Sequence, residues 1–380
     1  MEAIKKRFNP LKNQALNDLA RLVNANSFSG SKDNLVTAGD LIMEIAAGNG
    51  LKLTQYPTGD KAAFHLTCDT DDPNFIGIIG HFDTVHPPES PFRTFSDRGE
   101  TLTGPGVQDM KSGIITAIYG LRVAREALGM SALPVKIVFN CDEETGSIDS
   151  RPLIESLMQG ARAAFIFEGK KFPDNALITS RKGIMMGEMV VNGKNAHAGE
   201  APHEGASAVV EAAHKIVALD GLTDLEEGIV VTTGKVKGGK VPNQIADLCT
   251  SSIDIRFRTK AHETMLREAV EHIMAENHVP GCTTDYVLET ARPPFVKDPG
   301  CEALKQQYVD AAAEFGIPVP ETDAGGGSDG NLTAAMGIPT IDGLGPSGDF
   351  PHTDKEYIHK ASFFSAVEVF ALLLSRILKS

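Results

Sequence analysis

Residues 75–83 read Phe-Ile-Gly-Ile-Ile-Gly-His-Phe-Asp, and this stretch decides the fold. The run FIGIIG (75–80) is apolar almost throughout, as expected of a strand covered on both faces, and it breaks at once into His81 and Asp83. Working outward, helix-period segments at about 12–24 and 33–48 lead to the β-rich runs LKLTQY (51–56) and AAFHLT (62–67). On the other side come a helix from about Met110 to Leu128, a strand PVKIVFN (134–140), a helix near Pro152 to Met158 and a strand AAFIFE (163–168). Such alternation predicts an α/β fold, a mostly parallel sheet flanked by helices.

Between residues 183 and 291 the rhythm becomes strand, helix, strand, strand, helix, strand. That is the ferredoxin-like order, and the length suits one α+β domain. We read it as an insertion between a first segment, 1–182, and a second, 292–380, of the flanking domain. The second segment carries a helix CEALKQQYVDAAAEF, a strand GIPTIDG (337–343) and a long final helix.

The 380 residues hold 36 Lys+Arg against 50 Asp+Glu, a formal charge of −14, with 42% apolar residues to fill a core in each domain. An acidic chain without a basic run lacks the positive footprint that nucleic acid or an anionic membrane demands. A small molecule or short peptide is the expected partner. The N-terminal stretch has no apolar segment of the secretory kind, and no run approaches the roughly 18 apolar residues of a membrane span. Five scattered cysteines without CxxC spacing read as reduced thiols in a cytoplasmic protein, so any metal would rest on His and carboxylate.

Polar residues gather where the predicted strands end. His81 and Asp83 follow FIGIIG, Glu143 and Glu144 follow PVKIVFN, and Glu168 ends AAFIFE. Ligands of open α/β sheets bind outside the carboxyl ends of the strands, so these side chains are expected to converge. Asp109, ahead of its helix, and His352, in the loop GPSGDFPHTD, are further candidates. Each also has a plain reading as a loop or surface residue. Asp83 tips the balance for His81, because an imidazole that binds metal normally donates its other N–H to a carboxylate or carbonyl. Glu143 and Glu144, if buried together, repel unless a cation or proton intervenes.

The segments GHFDTVHP, GPGVQDMKSG, FNCDEETGS, FIFEG, GKNAHAGEAP, VPNQIA, DIRFR, GGGSDG and PHTDKEYI occur in that order. Together they resemble the M20 family of di-zinc metallopeptidases, most closely its glutamate carboxypeptidase branch, over about residues 75–357. The resemblance implies a zinc exopeptidase-like catalytic domain and a homodimer formed through the insert. It implies two Zn²⁺, with Co²⁺ or Mn²⁺ as substitutes: one held by His81, Asp109 and Glu168, the other by Asp109, Glu144 and His352. It further implies Glu143 as general base, Asp83 as the carboxylate behind His81, and a cis peptide bond after Asp109. His197 would reach the partner's active site to stabilise an oxyanion, and Asn243 and Arg256 would hold a substrate carboxylate. A cross-strand ion pair is the alternative for Arg256.

Two other motifs compete. Gly343, Gly345 and Gly348 match G-x-G-x-x-G but lead into DFPH instead of a helix. Gly326, Ser328 and Gly330 match the G-x-S-x-G elbow of serine hydrolases, yet no convincing β-run precedes them. The resemblance also bears on substrate: Glu at position 168 is implied to favour cleavage beside a free carboxylate. The expected reaction is release of a C-terminal amino acid, with glutamate foremost, from a peptide or N-acyl conjugate. The alternative is N-acyl-amino-acid deacylation of the acetylornithine or succinyl-diaminopimelate type. Arg181 and Lys182 could meet a second acidic group or be solvated hinge charges.

Overall fold

The apolar run forms the strand Ile76–His81, buried along its whole length. The structure, a computed structural model, describes residues 1–58, 63–173 and 175–379. In it, Ile76–His81 lies inside a six-stranded sheet of order Thr54–Thr58, Ala63–Cys68, Val135–Asn140, Ile76–His81, Ala164–Ile166, Thr340–Ile341. The last four are parallel to one another, and the first two add an antiparallel hairpin at one edge. Residue 62 of the AAFHLT run lies outside the described residues.

Helices cover both faces, as continuous apolar strands require. On one face Ser112–Leu128 and Lys360–Ile377 pack together, and Gly120 leaves the room that the Phe370 ring needs. Phe370 meets Phe165 and Phe167 edge-on, with ring centroids 5.7 and 4.8 Å away. On the other face Arg151–Met158 and Gly330–Ala335 lie over Ile79, Val138 and Ile166. Burial of one such large side chain contributes about 1.5–3 kcal/mol.

Several boundaries differ from the sequence reading, three of them for a visible reason. The 51–56 strand starts only at Thr54, because the Leu51 amide still bonds back to Ala46 of the preceding helix. The helix expected from Met110 starts at Ser112, since Asp109 and Met110 are non-helical and joined by a cis peptide bond. The 337–343 strand shrinks to Thr340–Ile341, because Asp342 leaves the sheet to exchange two backbone bonds with Ile178.

A further sheet has no counterpart in the sequence reading. Its order is Ser96–Asp97, Thr101–Thr103, Tyr357–His359, Ser347–Asp349, Lys170–Lys171, and no strand exceeds three residues. Within it Ser347–Asp349 and Tyr357–His359 form an antiparallel hairpin whose connection contains His352.

The chain divides into two units: residues 1–180, 297–324 and 328–380, and residues 181–296 with 325–327. The second unit has a four-stranded antiparallel sheet of order Val230–Gly238, Leu248–Phe257, Gly183–Asn192, Thr283–Arg292. The helices Ala208–Asp220 and Lys260–Ala275 cover one face. Alternation along Leu248–Phe257 sends Ile253, Ile255 and Phe257 into that core and leaves Asp254 and Arg256 on the opposite face. Lys215, fully buried, joins the two helices: its ammonium donates to the carbonyls of Ile273, Met274 and Glu276 and lies 3.2 Å from the equally buried Glu211.

Candidate metal centre

Strand register assembles the site, which lies within the first unit. Ile79 pairs with Ile166, so the side chains of His81 and Glu168, each two residues further on, project on the same side. Their nearest side-chain atoms are 3.6 Å apart. Gly113 serves this geometry, because a Cβ there would run into the Phe167 carbonyl next to Glu168. Asn140 pairs with His81, and a 3-10 turn, Glu143–Thr145, then carries Glu143 and Glu144 past the sheet edge.

Asp83 is fully buried and holds that turn. Its carboxylate accepts the Glu143 and Glu144 amides, both at 3.2 Å, and the Ser29 hydroxyl at 2.9 Å. His81 Nδ1 lies 3.1 Å from the Asp83 carbonyl and 3.3 Å from its carboxylate. In the neutral ring this favours the proton on Nδ1 and leaves Nε2 as an electron-pair donor.

That Nε2 atom is 3.0 Å from Asp109 Oδ1, while Asp109 Oδ2 is 3.2 Å from His352 Nε2. Glu144 Oε2 is also 3.2 Å from His352 Nε2. Among the described residues, His81, Asp109 and Glu144 have ligand atoms that all lie within 4.8 Å of one another. Asp109 thus stands between two imidazoles, each with a further carboxylate at its side.

The electrostatics call for positive charge. Burial and the neighbouring Asp109 push Glu168 up to about 7, and the same two causes raise Glu144. Burial also pushes Asp109 upward, but hydrogen bonds from His352 and His81 outweigh it and hold Asp109 well below the usual carboxylate range. His352, bonded to Asp109 and Glu144, is pushed up to about 10. Burial lowers His81, yet the Glu168 charge and the bonds to Asp109 and Asp83 carry it well above its ordinary value. Three acids and two imidazoles without a thiolate match a borderline or hard dication such as Zn²⁺, Co²⁺ or Mn²⁺.

Glu356, absent from the sequence reading, is fully buried beside this site. It accepts the backbone amides of Gly106, Gln108 and Asp109 and contacts His86 Nε2 at 3.2 Å. An acid that follows Asp354 and Lys355 in a polar loop gives no sequence signal of burial.

The second unit holds the other candidates. His197 is exposed, and its Nδ1 accepts the Gly199 and Glu200 amides at 3.2 Å, which leaves the proton of the neutral ring on Nε2. Its loop pairs with the VPNQIA segment: Ala198 N donates to the Asn243 carbonyl and Ile245 N to the Ala196 carbonyl. Arg256 is held by Asp254 on its own strand, Nε to Oδ1 at 2.6 Å and Nη2 to Oδ2 at 2.8 Å. Lys182 is lowered by burial and by Arg258 and Arg256, which marks a cationic group on that unit.

The competing motifs resolve locally. Ser328 is fully buried and donates to Asp342 at 2.6 Å, so its hydroxyl faces a carboxylate and not an imidazole base. Gly343 and Gly345 lead into the strand Ser347–Asp349, which contains Gly348 and offers no helix N-terminus for a phosphate.

The sequence pattern of Peptidase family M20/M25/M40 matches residues 77–376. The chain belongs to this family. It is a hydrolytic enzyme of the M20 type. This M20 chain is 27% identical over 360 residues to carboxypeptidase G2 of Pseudomonas sp. (strain RS-16), covering 90% of the chain and 83% of that protein. It is 22% identical over 351 residues to succinyl-diaminopimelate desuccinylase of Helicobacter hepaticus, covering 86% and 87%. Among solved structures, aminopeptidase PepT from Bacillus cereus matches with a TM-score of 0.77 at 21% identity, over 97% and 99% of the two chains. YXEP of Bacillus subtilis, described as a dinuclear metal binding peptidase from the M20 family, matches with a TM-score of 0.70 at 17% identity, over 98% and 99%. Among the described residues, no helix is long and apolar enough to cross a membrane.

Proposed function

We propose that the chain is a two-zinc hydrolase that cleaves an amide bond beside a free carboxylate and releases a C-terminal amino acid, glutamate foremost, from a peptide or N-acyl conjugate. The observation that carries this reading is the Asp109 carboxylate spanning His81 and His352 at 3.0 and 3.2 Å. His81, Asp109 and Glu168 would hold one ion, and Asp109, Glu144 and His352 the other. Two zinc ions there would supply Lewis acidity toward a water and toward the scissile carbonyl.

The chain's own groups do the rest. Glu143, placed by the hydrogen bond that its backbone N–H donates to Asp83, takes a proton from the attacking water and returns it to the leaving amine. Asp83 fixes the His81 ring. Arg256, its Nε and Nη2 edge occupied by Asp254, offers Nη1 to a substrate carboxylate that Asn243 also reaches. His197 of the partner subunit donates from Nε2 to the developing oxyanion, a role its tautomer suits.

A homodimer through the inserted unit is supported by the helix Ala208–Asp220. It exposes Val209, Val210 and Val217, the last at 73%, and Val236 and Leu248 of the sheet are exposed as well. The acidic charge and the reduced cysteines support a cytoplasmic enzyme without a nucleic-acid or membrane partner.

The likeness to succinyl-diaminopimelate desuccinylase favours a second reading, N-acyl-amino-acid deacylation. A panel of N-acyl-glutamates, N-acetylornithine, N-succinyl-diaminopimelate and dipeptides with added Zn²⁺ separates the two. The acyl-glutamates are expected to have the highest kcat/KM; faster turnover of N-acetylornithine or the succinyl substrate overturns the preferred one.

A further inference from the structure

We infer that Glu356 is a positioning residue for the metal centre: one buried carboxylate that ties the loop carrying Asp109 to the hairpin carrying His352. The inference rests on the reading of Asp109 and His352 as metal ligands. Glu356 ends the connection that holds His352 and directly precedes the strand Tyr357–His359. Because Tyr357 pairs with Thr103, the register brings Glu356 against Gly104 to Asp109.

There it meets four donors. Oε1 accepts Gln108 N at 2.7 Å and Asp109 N at 3.1 Å, while Oε2 accepts Gly106 N at 2.9 Å and lies 3.2 Å from His86 Nε2. A carboxylate stripped of water is tolerated only when its lone pairs are engaged in this way. The contact with the Asp109 amide is the informative one. It restrains the backbone from which the shared carboxylate projects, and through its own chain Glu356 restrains the turn in which His352 adopts a φ of 63°. Both imidazole contacts of Asp109 therefore depend on one acid that touches neither.

A carboxylate is needed, since an amide at this position would turn an NH₂ toward a backbone N–H. Glu356→Gln should fold yet bind Co²⁺ about 10–100-fold more weakly in competition with a chelating indicator, the loss typical of groups that orient metal ligands. The melting temperature of the metal-free protein is measured alongside. Glu356→Asp keeps the charge but is one methylene too short to serve all four donors, and it is expected to fall between Gln and the parent. Co²⁺ affinity within twofold of the parent in a folded variant overturns the inference. So does failure of both variants to fold, because Glu356 then acts through stability alone. If the parent itself binds no Co²⁺, the ligand reading fails instead.

Discussion

His352 Nε2 lies 3.2 Å from Oδ2 of Asp109, although the two residues sit outside any strand and in distant parts of the chain. Neither contact of Asp109 survives without its carboxylate. Asp109→Asn is expected to lower metal content by elemental analysis and to reduce kcat/KM by more than the roughly 10–100-fold cost of losing an outer partner. Full metal loading with unchanged turnover would remove Asp109 from the centre.

Glu143 is held by its backbone while its side chain does the proposed work. Glu143→Gln should lower kcat by about 10²–10⁴-fold, the usual worth of a general base, while metal content stays at the parent level. Equal turnover by the variant and the parent refutes the assignment.

Proton release provides a test that needs no substrate. In the metal-free protein His352 is pushed up to about 10 by Asp109 and Glu144, and His81 also stands well above its ordinary value. The His352 ring is then protonated at pH 8, so binding should release its proton and tighten as pH rises. A raised imidazole stabilises the fold fully below its ordinary value of 6.5 and ceases to do so as pH climbs through about 10. The metal-free melting temperature should fall across that window, while the loaded protein, whose imidazoles are engaged, should change little. Calorimetry in buffers of differing ionisation enthalpy counts the protons; no net release contradicts the arrangement.

Arg256 keeps one edge on Asp254, and among the described residues no hydrogen bond takes up its Nη1. Arg256→Lys cannot keep both contacts and should raise KM for acyl-glutamates roughly tenfold or more with kcat little changed. An unaltered KM would leave Arg256 a purely structural partner of Asp254.

In the inserted unit, Lys215→Met leaves the buried Glu211 carboxylate without its cation, holding the His278 and Val279 amides, and strands three helix-end carbonyls. Thermal unfolding should show a loss of about 3–5 kcal/mol. Adding Glu211→Gln should restore part of it, since the uncompensated charge is then gone. A single variant as stable as the parent would show the pair to be dispensable.

Much of this was legible in the sequence because it rests on local periodicity. The run 75–80 announced a buried strand, and His81, Glu143, Glu144 and Glu168 could be placed at strand ends by counting. The small sheet that presents His352 was invisible, because strands of two or three residues have no period to read. Glu356 was missed for a related reason: its burial comes from the Tyr357–Thr103 register and not from its neighbours in sequence.

The amino-acid order alone therefore determined the covered strands, the inserted β-α-β-β-α-β unit and the kinds of side chain available at the strand ends, since each follows from patterns a few residues long. Tertiary structure alone decided which of those side chains meet, that Asp109 stands between two imidazoles, and that Arg256 shares its charge with Asp254. Distances of about 3 Å between groups far apart in the chain depend on strand register and close packing, and no local pattern encodes them.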